Sequence, residues 1–212
     1  MENKIFELIT DLSLKYSSQL AQKIIGRTDE MELDNNSHYL IYEVLGIGLE
    51  EGRLIDLYQN KGRFLYKYAG SFLEEATILC FEQKFINTQK KVKIENKTGF
   101  KPKTFEIDCL VDNNAYEIKW RDATTDGDHI TKEHTRVQNI KMYGYNPIRI
   151  MFYYPNRTQA IRIQETLQTI YAGVGGEYYF GENAWKYIKK ETDIDLLEIL
   201  TKIAENKKTS KI

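Results

Sequence analysis

The stretch "FEIDCLVDNNAYEIKWRD", residues 105–122, constrains the chain more than any other. Two runs alternate apolar and polar residues with a period of two, the mark of strands that bury one face. Between them, Asn113-Asn114 tolerates the positive φ of a tight hairpin turn. With those two residues as the turn, 112 pairs with 115, 110 with 117, 108 with 119 and 106 with 121. One face then gathers Phe105, Ile107, Cys109, Val111, Tyr116, Ile118 and Trp120. The other gathers Glu106, Asp108, Leu110, Glu117, Lys119 and Arg121.

On this register Asp108 faces Lys119 and lies diagonal to Glu117. The plainer reading is a solvated face with cross-strand ion pairs, Asp108–Lys119 and Glu106–Arg121. The sharper reading starts from repulsion: two carboxylates this close need a positive charge between them. A hard divalent cation such as Mg²⁺ supplies it, taking oxygen ligands and keeping several waters.

The surrounding pattern predicts helices and one more strand. Residues 2–25 read as an amphipathic helix with Ile5, Leu8, Leu12, Leu20 and Ile24 inward. A second helix from residue 39 turns at Gly46 and Gly48 into another short one. Residues 62–86 give the clearest helical spacing, with Leu65, Ala69, Phe72, Ala76, Leu79 and Cys80 inward. Residues 84–103 hold seven lysines and one acid and read as an irregular strand and loop. After the hairpin come a turn at Asp126-Gly127, an N-cap at Asp128 and a helix burying Ile130, Val137 and Ile140. "NPIRIMFYYP" is a buried strand, "NRTQAIRIQETLQTIYAGVGG" a helix stopped by glycines, and residues 182–206 are helical before a frayed tail. The order helix, strand, strand, helix, strand, helix gives an α/β fold, a mixed central sheet flanked by helices.

Composition excludes little. At 212 residues and 42% hydrophobic the chain can bury a sizeable core, and a net charge of -1 means that any nucleic acid must be held by a local patch. Cys80 and Cys109 sit in apolar surroundings and read as reduced core residues, so the expected location is a reducing cytoplasm, and the wealth of Lys, Asn, Ile and Tyr fits a bacterial or archaeal source. No signal peptide or membrane span is expected. His129 and His134, five apart, do not make a zinc pair, and "AGVGGEYYFG" is no nucleotide loop.

Asp108, eight residues, then Glu117-Ile118-Lys119 resembles the catalytic motif of the PD-(D/E)xK nuclease superfamily. Ile107 stands where the motif's name has proline. The preceding helix supplies Glu74 and Glu75, and residues 129–154 supply the following helix and strand, so the resemblance covers about residues 62–155. The run "YEIKWRDATTDGDHITKEHTR" is further similar to type II restriction endonucleases of the ApaLI-like group. The resemblance implies a restriction-endonuclease-like core with added N- and C-terminal helices. It makes residues 1–212 one nuclease domain, with a helical N-terminal segment at 1–61, a catalytic core at 62–172 and a helical extension at 173–212.

It also implies Mg²⁺-dependent, sequence-specific cleavage of double-stranded DNA by a homodimer, leaving 5′-phosphates. Asp108, Glu117 and the carbonyl of Ile118 would bind one or two Mg²⁺, Lys119 would orient water, and Glu74 or Glu75 would join them. The apolar stripe favours Glu75, the family's Gly-x3-Glu spacing Glu74. Phosphate or base contacts would come from Lys90, Lys91 and Lys93, and from Arg121, Lys132, His134, Arg136 and Lys141. A repair nuclease or junction resolvase of the same fold, or a non-catalytic DNA-binding module, are the alternatives.

Overall fold

The computed structural model describes residues 2–99, 101–121 and 128–209. Along the chain run α1 (Glu2–Glu32), a 3₁₀ turn (Asn36–His38), α2 (Tyr39–Val44), α3 (Leu49–Lys84), β1 (Gln89–Glu95), β2 (Thr104–Val111), β3 (Asn114–Arg121), α4 (Asp128–Met142), β4 (Asn146–Tyr153), α5 (Thr158–Gly173), β5 (Glu177–Phe180), α6 (Glu182–Thr192) and α7 (Leu196–Thr209). The chain forms two compact units, residues 10–72 and residues 1–9 with 73–212.

The larger unit holds a five-stranded mixed sheet in the order β1-β2-β3-β4-β5. β1–β2 and β2–β3 are antiparallel, β3–β4 and β4–β5 parallel. Helices cover both faces, as parallel strands require. On one face Tyr116 of β3 stacks on Phe81 of α3 at 4.5 Å, and Phe152 of β4 packs on Trp185 of α6. On the other, Leu110 and Ala115 pack with Ile140 of α4. The α/β architecture with flanking helices is the expected one.

Three expectations about the hairpin and its helix change. The turn is Asp112-Asn113, with pairs Cys109↔Tyr116, Leu110↔Ala115 and Val111↔Asn114. Asp112 takes the positive φ, 50°, which aspartate tolerates nearly as well as asparagine. This shift frees Asn114 to open β3 and lie beside Asn146 of β4. Face membership near the turn survives, but the partners move by two, so the same count sets Asp108 across from Glu117 rather than Lys119. Strict alternation also fails in β2: Phe105 and Ile107 join Leu110 in one cluster, not Cys109. The change falls at Asp108, opposite Lys91 by count, a non-glycine residue with φ 51°.

The third change is in the helix. Residues 49–84 form one continuous helix through Gly62, and Leu65 is exposed; the buried side is Leu73, Ala76, Thr77, Ile78, Cys80 and Phe81. "EYYF", for which the sequence pattern gave no strand, pairs with β4 as β5. Residues 182–206 divide into α6 and α7 at Asp193, whose φ is 60°, and α7 runs to Thr209 into the tail expected to fray. The expected Asp126-Gly127 turn lies outside the described residues, and α4 does begin at Asp128.

Candidate active site

The strands separate where the acids stand. β2 and β3 pair only as far as Cys109↔Tyr116. Beyond that point β2 continues against β1 to Thr104, and β3 against β4 to Arg121. Asp108 and Glu117 are the first residues past the last pair. Ile118, left without a β2 partner, donates its N–H to Asp108 Oδ2 at 2.8 Å. A buried amide needs an acceptor, so the separated backbone itself fixes the orientation of the Asp108 carboxylate.

Lys119 closes the set. Its Nζ is 2.5 Å from Glu117 Oε1 and 3.7 Å from Asp108 Oδ2. Asp108 and Glu117 are buried, while the Lys119 side chain keeps 33% of its surface exposed. Charge on this site can therefore be reached from solvent through the lysine.

Behind Glu117 runs an ion network that the sequence did not mark. Arg136 of α4 pairs with Glu117 Oε2, donates to the Glu106 carbonyl, and lies 3.8 Å from Glu133. Glu133 Oε1 in turn accepts from Tyr171 of α5 at 2.6 Å and from Arg149 of β4 at 3.2 Å. Arg149 is fully buried and is the register partner of Glu117 on the next strand. One signal was available: an arginine inside the apolar run "PIRIMF" must find a carboxylate, because buried charges are paired.

These surroundings separate the two carboxylates. Burial raises the Asp108 pKa, and Glu117 raises it further against the pull of Lys119 and Arg136, to about 7. Burial also works against the Glu117 carboxylate, but Arg136, Lys119 and Arg149 outweigh it and hold Glu117 well below the usual carboxylate range. Burial works against the Lys119 ammonium too, yet Glu117 and Asp108 leave its pKa raised. Glu117 and Lys119 are thus charged at neutral pH, and Asp108 is poised between its two states.

The other expected residues divide. Glu74 faces the site's field: burial raises its pKa, Lys91 and Lys119 lower it, and Lys91 Nζ stands 3.7 Å away. Lys90 pairs with Glu82 at 2.9 Å, and Lys93 lies opposite Glu106 on the edge strand. Arg121 is exposed and its guanidinium lies 5.7 Å from the Trp120 ring. Lys132 and Lys141 are exposed, as is His134, which contacts Gln138 at 3.2 Å. Arg136, expected as a DNA contact, points instead into the ion network.

Among the described residues no cluster of three or more His, Cys, Asp or Glu is arranged to hold a metal ion. The pair Asp108 and Glu117 nevertheless fits Mg²⁺, which needs only one or two carboxylates and completes its shell with water and phosphate oxygens. The lysine ammonium already bridges both acids, and the repulsion still raising Asp108 is what a divalent cation relieves.

A family model described as ApaLI-like restriction endonuclease matches residues 1–205. No curated protein and no solved structure matches the chain.

Proposed function

The chain belongs to the ApaLI-like restriction endonuclease family, and from that premise we propose that it is a type II enzyme hydrolysing double-stranded DNA at a specific sequence, with Asp108, Glu117 and Lys119 as its catalytic set. The observation that carries the reading is the meeting of these three side chains where β2 and β3 separate. Asp108 and Glu117, with the Ile118 carbonyl, would hold Mg²⁺, which supplies charge neutralisation at the scissile phosphate and a more acidic bound water. Lys119 orients the attacking water and shares the charge that develops on the phosphate. Water adds to phosphorus, the bond to the 3′ oxygen breaks, and that oxygen takes a proton, leaving a 5′-phosphate and a 3′-hydroxyl. Arg136 keeps Glu117 ionised and its carboxylate turned toward the site. Glu74 would join from α3: it is partly buried, Lys91 stands 3.7 Å away, and the charges of Lys119 and Glu117 act on it.

Two copies would act together, since a two-fold dimer matches a palindromic site and cuts both strands. The buried thiols Cys80 and Cys109 fit a reducing cytoplasm. Among the described residues no helix is long and apolar enough to cross a membrane.

Plasmid DNA incubated with the protein and Mg²⁺ should give discrete fragments with 5′-phosphate ends, and Asp108→Ala or Lys119→Ala should lower the rate by at least about a hundredfold. Undiminished cleavage by both variants would remove the site assignment. Preference for branched DNA, without discrete fragments, would mark a resolvase.

A further inference from the structure

The unit of residues 10–72 is almost without a core of its own. Only Ser13, Tyr39, Gly52 and Phe64 in it are buried. Yet of the 17 large apolar residues that stand exposed among the described residues, 13 lie within it. Single exposed apolar residues are ordinary, but this density is not.

The exposed residues are ordered. At roughly 100° per residue, Leu54, Ile55, Tyr58, Leu65 and Tyr66 fall within an arc of roughly 120° on α3. Glu51 is the one charged residue in that arc, and Gly62 sits near its middle. The opposite side of α3 is occupied: Phe64 is buried there, and Asn60 meets Arg27 and Met31 of α1. The neighbouring flank is closed by α2, whose Tyr42 bonds Asp56 and whose two tyrosine rings pack against Gly52, where a Cβ would come within 2.7 Å of Tyr42. Val44 at the end of α2 and Leu45 just after it are a further 73% and 71% exposed.

Gly62 adds an independent sign. Glycine inside a helix costs about 1 kcal/mol relative to alanine, and among the described residues nothing beyond its own helix backbone lies within 4 Å of where its Cβ would be. Gly26 and Gly70 are helical glycines with the same open space, but only Gly62 lies within the apolar arc. A second helix can cross closely at that point, because a missing side chain lets two backbones approach.

We propose that this α2–α3 face is the interface with a second copy of the chain, the two α3 helices crossing near Gly62 about a two-fold axis. The inference rests on the dimeric reading of the function above and names its surface. The apolar area offered is on the order of 1,000 Å², against about 800 Å² per partner in a standard interface. Nucleic acid is a poor occupant: residues 10–72 carry nine acids against seven lysines and arginines, and the arc itself has no cation.

The test is the mass of the full-length protein in solution, by light scattering and sedimentation velocity, with plasmid cleavage on the same samples. Wild type should run at twice its 24.9 kDa and linearise plasmid. Ile55→Glu with Leu65→Glu should run as a monomer with an unchanged circular dichroism spectrum and mainly nick. Gly62→Leu, whose Cβ has open space among the described residues, should weaken the dimer at least tenfold. A wild type that stays monomeric at tens of micromolar, while still cutting DNA, overturns the interface and leaves the catalytic assignment standing. A dimer that resists both variants overturns it as well. A wild-type dimer that both variants dissociate, yet that fails to cut, supports the interface and counts against the function.

Discussion

In the folded chain Asp108 keeps its proton up to about pH 7, because burial and Glu117 oppose its ionisation. Unfolded, an aspartate loses that proton near pH 4. Between those values the unfolded state binds fewer protons, so stability falls as pH rises. The stabilising contribution is complete below about pH 4 and gone above about pH 7. Asp108→Asn removes the penalty and keeps an oxygen for the Ile118 amide. Without metal it should melt several degrees above wild type at pH 8 and close to it at pH 4, while losing cleavage. Equal melting temperatures at pH 8 would count against the buried, repelled carboxylate. Alternation along β3 already put Glu117 and Lys119 on one side, because alternation within that strand does not depend on the turn, whereas in β2 the alternation breaks at Asp108 itself. Alternation could not give the pairing across the hairpin, which follows from Asp112 rather than Asn114 entering the turn.

The elements are tied together by charge as well as by apolar packing. Arg149 joins β4 to Glu133 of α4, which Tyr171 of α5 also holds. Arg149→Met would leave Glu133 buried beside a lost partner and should cost about 3–5 kcal/mol in urea unfolding. Adding Glu133→Gln should recover much of the loss, since removing both charges removes the imbalance. A full, additive loss in the double variant would mean that the two do not act as a pair. The network escaped the sequence reading because it depends on three elements meeting in space, and Glu133 looks like an ordinary helix-surface acid. β5 escaped for a different reason: four residues are too few to show a period. α3 ran on through Gly62 because one glycine costs a long helix little. β1 was half legible. Its lysines mark an exposed edge strand, and charges there also discourage pairing with another sheet.

For the molecule as a whole, a net charge of -1 means that DNA affinity must come from a few placed cations. Two of the expected ones, Lys90 and Lys91, are engaged by Glu82 and Glu74. Lys93 therefore bears more of the expectation for β1. If it meets a phosphate, Lys93→Ala should lower the slope of log affinity against log salt by about 1 and weaken all sequences alike. An unchanged slope would return β1's lysines to a purely structural role. Composition could set this constraint, but the division into two compact units was not visible in it. The boundaries fall inside α1 and α3, where no break in the sequence marks them.

The separation of β2 from β3 also gives the protein a built-in observer. The Ile118 amide leans on a carboxylate instead of a neighbouring strand. Whatever claims that carboxylate, whether a proton, a cation or an incoming phosphate, must loosen or tighten one identifiable N–H. Its nuclear magnetic resonance frequency and its rate of exchange with deuterium would follow the loading of the site atom by atom, with no label added.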